Sequence, residues 1–463
     1  MHHGRLFPPS MPARPALTRR PYAALKPLPQ RWPRPPSQTT LRCLTHGFTP
    51  SRRPTASIAK SCDGRPPHHR RPLTTSTLTT ILTPPSLFLG LLLGLWTYKC
   101  VMTVVFQEKF IYMPYMPPFA RSEQIADYDK DCRPVTWREE RIRSGDGTKI
   151  ALAVGDMPSD GEGKSDLPSS GDVVGPEGKG KNVVICYFQG NGASLPPRLP
   201  LLSNVLKLLQ ARPRREGSHV TYTMVALSYR GYWTSSGKPT QPGIEQDAQA
   251  LLNWVHRTFP SAPGPRTTGR QTEIIFWGQS LGAGVAATAV GTYLTDHPHR
   301  SPYPSPQGRE QVKREASRPP ITGLVLETPF TSIKSMLLSL YPQKWLPYQY
   351  LHPFLRNHWD MPSALHQIAA SRAASGSASD SDASGSGGGG RTDGGDVNSP
   401  PILLVNATRD EIVPSAEVER IEAVCRRLTL ECERKGVIGA LHNEATMRRE
   451  GQEAVARFIE RVS

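Results

Sequence analysis

The cysteines of this 463-residue chain follow no metal-binding or disulfide pattern. There are seven, an odd number, and no two are spaced as C-x-x-C. The sequence therefore has neither a zinc ligand set nor a disulfide framework. The cysteines do not indicate whether the protein lies in an oxidising or a reducing compartment. A lumenal location would permit a disulfide bond that uses Cys425 or Cys432. Cys186 lies in an apolar run and is expected to be an ordinary buried strand residue.

Acidic residues are almost missing from the first 80 positions, which contain one acid, Asp63, and fourteen Lys or Arg residues. Most of the formal net charge of +17 belongs to this segment. The segment is Pro-rich without apolar periodicity, so residues 1–85 are predicted to be a disordered basic tail. An organelle transit peptide is an alternative, but the prolines interrupt the amphipathic helix that it needs. Without aromatic interleaving or a recognisable module, no nucleic-acid partner is expected.

A long apolar run follows the tail. Residues 86–106 carry one charge, Lys99, and at about 1.5 Å rise per residue they cross a hydrocarbon core of roughly 30 Å. A single transmembrane helix is predicted. The positive charge of the tail predicts a cytosolic N-terminus, with residues 135–463 on the lumenal or exterior side of the membrane. The expected membrane is an endomembrane, such as that of the endoplasmic reticulum, or the plasma membrane. The aromatic, Pro-rich residues 107–134 are predicted to form a juxtamembrane collar.

From residue 135 onward, apolar runs alternate with helical patterns. The runs that predict strands covered on both faces are 182–188, 222–227, 273–277, 321–326 and 402–406. Their alternation with helices predicts the α/β class, with a mostly parallel central sheet and helices on both faces. Thr136–Ile142 and Thr148–Val154 flank a turn and predict a hairpin. The polar stretches predicted to be disordered insertions are 157–180, 296–319 and 371–399.

The stretch 273–284 joins an apolar run to a small-residue helix through the G-x-S-x-G motif Gly278-Gln-Ser-Leu-Gly282. In this context the motif predicts a nucleophile elbow, a tight turn that strains Ser280 and exposes its hydroxyl. Gly278 and Gly282 are small, so the strand and the helix can pass close to the turn. Without the context, a glycine-rich helix entry with a capping Ser is the alternative.

A serine nucleophile requires a His to take its proton and a carboxylate to orient the His. With the chain order Ser, acid, His, Asp410 just past the run 402–406 is the predicted acid, and Glu327 past the preceding run is its rival. His442, in the loop before the last helix, is the predicted base. The other histidines lie in the tail, in an insertion, before the elbow or in the segment that follows Thr328.

The oxyanion that develops during acyl transfer requires two main-chain N–H groups. The first expected donor is Leu281, the residue after the nucleophile. The second is expected from the Gly-rich loop 189–193, with Asn191 as the candidate. The aromatic segment Thr331–Ala370 is predicted to cover the cleft. Neither a metal nor an organic cofactor is implied.

Taken together, the motifs resemble those of the Bem-type membrane-anchored α/β-hydrolases over about residues 86–463. They are Gln189-Gly-Asn-Gly-Ala193, Ser228-Tyr-Arg-Gly-Tyr-Trp-Thr-Ser-Ser-Gly237, Gly278-Gln-Ser-Leu-Gly282, Glu327-Thr-Pro-Phe-Thr-Ser332, Arg409-Asp-Glu-Ile-Val-Pro414 and Leu441-His-Asn443. The resemblance implies an α/β-hydrolase domain over 135–463 and a Ser280, Asp410, His442 triad, which favours Asp410 over Glu327. This chain departs from the family at Gln189, where the family usually has His, and in the order Asn-Gly-Ala for Asn-Ala-Gly.

These features lead us to expect a membrane-anchored serine hydrolase that cleaves an ester, thioester or lipid acyl bond. Two alternatives remain: a non-catalytic membrane scaffold that retains the fold, and a soluble organellar hydrolase with a cleaved presequence. The sequence does not disclose the substrate, because specificity depends on the geometry of the covering segment, and it names no protein partner.

Overall fold

The computed structural model describes residues 75–158, 180–192, 194–212, 219–261, 271–295, 318–344, 346–380 and 399–463. All of them belong to one compact unit, Leu73–Ser463. Residues 1–74 of the predicted disordered tail 1–85, and most of each predicted insertion, lie outside the described residues. Residues 75–85 were also predicted to be disordered, but they form the start of a helix that is continuous with the apolar run after them.

The described part begins with a long helix, α1 (Thr75–Val105), which contains the predicted span 86–106 except for its last residue. Thr79–Val105 has a mean hydropathy of 1.7 over its most apolar window, and 6% of that window is buried. Among the described residues, this is the one helix long and apolar enough to cross a bilayer. The collar follows as α2 (Gln107–Tyr112), turns, and α3 (Asp129–Cys132).

The central sheet has eight strands among the described residues. They are β1 Thr136–Arg143, β2 Lys149–Asp156, β3 Gly180–Phe188, β4 His219–Ser228, β5 Gln271–Gln279, β6 Ile321–Glu327, β7 Ile402–Ala407 and β8 Cys432–Val437. Their order is β1-β2-β4-β3-β5-β6-β7-β8. The pairs β1–β2 and β2–β4 are antiparallel, and the other neighbouring pairs are parallel. The predicted mostly parallel sheet is confirmed.

Helices cover both faces of this sheet. They are α4 Leu199–Gln210, α5 Gln241–Thr258, α6 Leu281–Thr295, α7 Ile333–Leu340, α8 Met361–Asp380, α9 Ser415–Arg427 and α10 Arg449–Val462. Successive strand side chains point to opposite faces. In β3, Cys186 and Phe188 share a core with α5, α6, α8 and α9, whereas Ile185 and Tyr187 share one with α4 and α10. Because both faces are covered, the strand sequences are continuous apolar runs.

Helix α8 corrects one prediction. It continues through residues 371–380, the first part of the stretch predicted to be a disordered insertion. The prediction relied on Ser, Gly and Asp content, but these positions also include several alanines, which are the best helix formers. A helix already nucleated at Met361 extends through such residues at little further cost.

The parallel strands bring the predicted site residues to one edge of the sheet. Strands β3, β5, β6, β7 and β8 run in the same direction, so their carboxyl ends lie side by side. The loops after such ends are where open α/β sheets bind their ligands. The chain places the loop 189–192, Ser280, Thr328, Asp410 and His442 in these loops.

Candidate active site

Ser280 occupies a sharp turn between the end of β5 and the start of α6. Its φ angle is +51°, a left-handed conformation that costs a non-glycine residue about 1–3 kcal/mol. The turn is held because the Ser280 N–H donates to the Glu327 carbonyl at 2.8 Å and the Ser280 carbonyl accepts from the Ala283 N–H at 2.9 Å. The structure thus has the strained geometry that the G-x-S-x-G motif predicts.

The two glycines of the motif are required by close backbone approaches. A Cβ atom at Gly278 would lie 2.1 Å from the carbonyl oxygen of Gly282. A Cβ atom at Gly282 would lie 2.1 Å from the carbonyl oxygen of Phe188, at the end of β3. Both distances are far inside van der Waals contact, so any side chain would force the strand, turn and helix apart.

His442 joins Ser280 to Asp410 by hydrogen bonds. Its Nε2 lies 2.9 Å from Ser280 Oγ. Its Nδ1 lies 2.8 Å from Asp410 Oδ2 and 3.0 Å from Oδ1. His442 is 3% exposed and Ser280 is 8% exposed, so the chain of hydrogen bonds is shielded from bulk water. The three residues predicted as a catalytic set therefore lie within bonding reach of one another.

The loop that carries Asp410 fixes the direction of its carboxylate. Asp410 Oδ1 accepts from the main-chain N–H groups of Ile412 at 2.9 Å and Val413 at 2.7 Å. His442 is fixed as well, because its main-chain N–H donates to Glu411 Oε2 at 3.0 Å. A carboxylate facing Nδ1 makes that nitrogen the protonated one, which leaves the lone pair of Nε2 facing the Ser280 hydroxyl.

Glu327, the rival acid, is directed elsewhere. Its carboxylate is fully buried and accepts hydrogen bonds from Trp277 Nε1 at 3.1 Å and from the Thr446 hydroxyl at 2.6 Å. Burial raises the pKa of Glu327, and the hydrogen bonds from Thr446 and Trp277 offset that effect only in part. The main-chain carbonyl of Glu327 stabilises the elbow by accepting the Ser280 N–H. Its side chain links Trp277 in β5 to Thr446 in the turn before α10 by hydrogen bonds.

The Gly-rich loop after β3 lies beside the serine. A Cβ atom at Gly190 would lie 3.5 Å from Ser280 Cβ. Gly192 has φ of +70°, a left-handed conformation that favours glycine. This accounts for glycine at the second position of the sequence Asn-Gly-Ala. The Gln189 amide nitrogen is buried and has no hydrogen-bond partner among the described residues. The N–H groups of Asn191 and Leu281 remain the predicted oxyanion donors, and Leu281 is suited to this because the first N–H groups of a helix lack intrahelical acceptors.

The segment Thr331–Ala370 holds aromatic side chains in two different environments. Trp359 is fully buried and packs against Gly284 of α6, where a Cβ atom would lie 3.1 Å from Trp359 Cβ. Tyr350 is 60% exposed. Trp359 therefore serves helix packing, and the covering role of the segment stays a prediction. No group of three or more His, Cys, Asp or Glu side chains is arranged to hold a metal within the described ranges.

Two tyrosines near the site were not assigned a role from the sequence. The Tyr229 hydroxyl donates to the Gln189 carbonyl at 2.8 Å, and the Tyr232 hydroxyl donates to the carbonyl of Tyr112 in the collar. Both tyrosines are fully buried. They belong to the motif Ser228–Gly237, so a signal was present, but nothing in the spacing indicates which carbonyl each hydroxyl reaches.

Glu417, in the first turn of α9, connects the helix after the Asp410 loop to the segment before α7. Its carboxylate is 2% exposed and accepts from the Thr331 N–H at 2.9 Å, from the hydroxyls of Thr331 and Ser335, and from Arg420 at 2.6 Å. Burial by itself raises the pKa of Glu417, but the hydrogen bonds from Ser335 and Thr331 outweigh burial and hold the pKa below its ordinary value of 4.5.

Glu417→Gln is expected to lower the free energy of unfolding at neutral pH by about 1–3 kcal/mol, because an amide cannot accept all of these bonds. A carboxylate whose pKa is depressed in the folded state stabilises fully above its unfolded pKa and loses this effect as pH falls through the folded value. The difference between the variants should therefore shrink below the ordinary value of 4.5. Urea unfolding across this range measures it. Glu453→Gln, in an exposed pair with Arg449, is the control, and an equal difference at neutral and acidic pH would contradict the assignment.

Comparisons with known proteins place the chain among hydrolase relatives. No protein-family model matches it. The alpha/beta hydrolase domain-containing protein WAV2 of Arabidopsis thaliana is 26% identical over 254 residues, 54% of this chain and 61% of WAV2. Protein bem46 of Schizosaccharomyces pombe is 25% identical over 158 residues, 34% of this chain and 38% of bem46. The lysophosphatidylserine lipase ABHD12 of Xenopus tropicalis is 28% identical over 117 residues, 25% of this chain and 22% of ABHD12.

The chain spans less than two thirds of the length of each of these relatives. A crystal structure of an alpha-beta hydrolase from Vibrio vulnificus covers 76% of this chain and 90% of its own, with 16% identity and a TM-score of 0.45.

A mostly parallel eight-stranded sheet with an antiparallel β2, and a G-x-S-x-G elbow directly after β5, define an α/β-hydrolase fold. The name of WAV2 states the same fold. The chain is accordingly a homologue of the Bem-type α/β-hydrolase domain-containing proteins, as the sequence motifs indicate.

Proposed function

We propose that this protein is a membrane-anchored serine hydrolase that cleaves an ester, thioester or lipid acyl bond. The observation that carries the proposal is the hydrogen-bonded series Ser280, His442, Asp410 at the carboxyl edge of the sheet. In this geometry the hydroxyl that a serine hydrolase needs as nucleophile faces a base that is already oriented.

The reaction would proceed by acyl transfer. Ser280 Oγ attacks the carbonyl carbon while His442 Nε2 takes its proton, and Asp410 stabilises the imidazolium that forms. The N–H groups of Leu281 and Asn191 hold the negative oxygen of the tetrahedral intermediate. His442 then protonates the leaving alcohol or thiol, and a water molecule, deprotonated by the same imidazole, releases the acid from Ser280. The imidazolium returns its proton to Ser280 Oγ as the acid leaves, so apart from the substrate and this water the steps use groups of the chain itself.

Two observations support the substrate class and the membrane anchor. One relative is named a lysophosphatidylserine lipase, although its match covers 25% of this chain. Helix α1 carries exposed apolar side chains from Ile81 to Val105, and a helix that is apolar all round without a core to enter suits a bilayer. The basic tail favours a cytosolic N-terminus with the hydrolase domain on the lumenal or exterior side of an endomembrane, such as the endoplasmic reticulum, or of the plasma membrane.

A fluorophosphonate probe tests the proposal, because it phosphonylates a serine only when the serine is activated. Membranes that contain the full chain are labelled, washed with carbonate, and digested for mass spectrometry. We expect one adduct, on Ser280, in the membrane pellet, and no adduct after heat denaturation. A chain without an adduct would be the non-catalytic scaffold, and a labelled chain released by carbonate would be a soluble hydrolase.

A further inference from the structure

The collar between α1 and the hydrolase domain contacts the active-site loop directly. The main-chain carbonyl of Tyr112, the last residue of α2, accepts the N–H of Gly192 at 2.9 Å. The same carbonyl accepts the buried hydroxyl of Tyr232. Gly192 ends the described part of the loop that lies beside Ser280. A residue seven positions after α1 therefore holds one end of the loop predicted to supply an oxyanion donor.

The turn after Tyr112 closes around the same glycine. A Cβ atom at Gly192 would lie 3.5 Å from the Met116 carbonyl oxygen and 3.7 Å from that of Met113. Collar backbone thus encloses Gly192 at the position where a side chain would project. The other end of the loop is held independently, because Tyr229 donates to the Gln189 carbonyl at 2.8 Å.

Tyr112 is itself held by buried hydrogen bonds. Its side chain is fully buried, and its hydroxyl donates to Asn357 Oδ1 at 2.8 Å and accepts from Trp359 Nε1 at 3.0 Å. Asn357 Oδ1 also accepts the main-chain N–H of Gln241 at 2.8 Å, at the start of α5. The collar carbonyl therefore has a defined position relative to α5 and to the segment that leads into α8.

The start of the collar is attached to the same segment. Gln107 Nε2 donates to the Phe354 carbonyl at 3.1 Å, and Gln107 Oε1 accepts the N–H of Arg356 at 2.7 Å. Arg356 also pairs with Glu108 at 2.6 Å. Both ends of α2 are thus bonded to the domain, and this short helix has no freedom to act as a flexible linker.

We propose that Tyr112 is a positioning residue for the oxyanion loop, and that residues 107–116 form a wall of the active site. An oxyanion hole accelerates acyl transfer only when its N–H groups are fixed before the charge develops. A short Gly-rich loop is not fixed by its own side chains, so its two anchors, Tyr229 at Gln189 and Tyr112 at Gly192, set the position of the Asn191 N–H between them. This inference rests on the proposed function for its kinetic consequences.

The test compares Tyr112→Phe and Tyr232→Phe in the full chain, purified in detergent, with para-nitrophenyl butyrate as substrate. Tyr232→Phe removes the hydroxyl that donates to the Tyr112 carbonyl, and Tyr112→Phe removes the hydroxyl that bonds Tyr112 to Asn357 and Trp359. Both variants keep the aromatic ring. We expect kcat to fall about three- to tenfold with KM unchanged, because the oxyanion exists only after binding. The control is Tyr293→Phe at the far end of α6, a buried tyrosine whose hydroxyl also donates to a backbone carbonyl, that of Pro319 at 2.7 Å.

Hydrogen–deuterium exchange provides a second readout that does not need catalysis. The amide of Gly192 should exchange about three- to tenfold faster in Tyr112→Phe and in Tyr232→Phe than in Tyr293→Phe at equal thermal stability. If kcat and Gly192 exchange in both variants equal those of Tyr293→Phe, the inference is overturned. A wild-type chain that neither hydrolyses the ester nor reacts with the fluorophosphonate probe would refute the proposed function instead, and the exchange rates would still decide whether the collar holds the loop.

Discussion

Replacing Ser280 with Ala is expected to lower kcat for ester hydrolysis by at least about ten-thousand-fold. The expectation follows from the geometry, in which the Ser280 hydroxyl is the group within 2.9 Å of His442 Nε2. Alanine removes the nucleophile but leaves the elbow, since its side chain meets the same backbone constraint at φ of +51°. Thermal unfolding should change little, so lost activity would report chemistry and not folding.

Ser203→Ala is the matched control for this substitution. Ser203 is fully buried and accepts a hydrogen bond from Trp137 Nε1 at 2.8 Å, but it lies in α4, on the opposite face of the sheet from α6. Its replacement should cost stability and leave kcat nearly unchanged. Initial rates of para-nitrophenyl butyrate hydrolysis measure both variants. A Ser280→Ala protein that retains more than about a hundredth of the wild-type kcat would contradict the mechanism.

Asp410→Asn is expected to lower kcat by about 10³- to 10⁴-fold with the fold retained. An amide can occupy the same space and can accept from Ile412 and Val413. It carries no charge to stabilise the imidazolium, and its NH₂ group facing Nδ1 favours the tautomer in which Nε2 is protonated and cannot accept from Ser280. The loss should therefore appear in kcat.

Glu327→Gln is the companion variant that separates the two acids. The substitution has the same carboxylate-to-amide chemistry, but the amide would face Trp277 Nε1 and Thr446 in a fully buried site. We expect a lower melting temperature and a kcat within about tenfold of wild type, since no reacting atom is touched. If kcat falls further in Glu327→Gln than in Asp410→Asn, the acid has been assigned to the wrong residue.

The elbow and the sheet could be predicted because their signals are local. An apolar run marks each buried strand, and the G-x-S-x-G motif marks the turn that follows β5. The choice between Asp410 and Glu327 could not be made from spacing, because Glu327 ends β6 and Asp410 follows β7, and both strands end at the same edge of the sheet. The structure separates them by direction: one carboxylate faces His442, whereas the other faces Trp277.

The burial of Tyr112 in the collar could not be predicted from the sequence either, because it depends on contacts with distant residues. The aromatic and proline content of the collar is typical of a membrane interface, and Tyr115 and Phe119 are indeed exposed, at 63% and 87%. Tyr112 has the same kind of side chain and is fully buried. What distinguishes it is a set of bonds to residues 80 or more positions away, such as Gly192 and Asn357, and such contacts leave no periodic pattern in the chain.

The order of the strands has a consequence for the chain while it is being synthesised. Ser280 leaves the ribosome 162 residues before His442, and the imidazole reaches the hydroxyl only after β7 and β8 have joined the edge of the sheet. A nascent polypeptide with its elbow already formed would therefore carry an inert alcohol. Reactivity would arise only after His442 has been synthesised and β7 and β8 have joined the sheet.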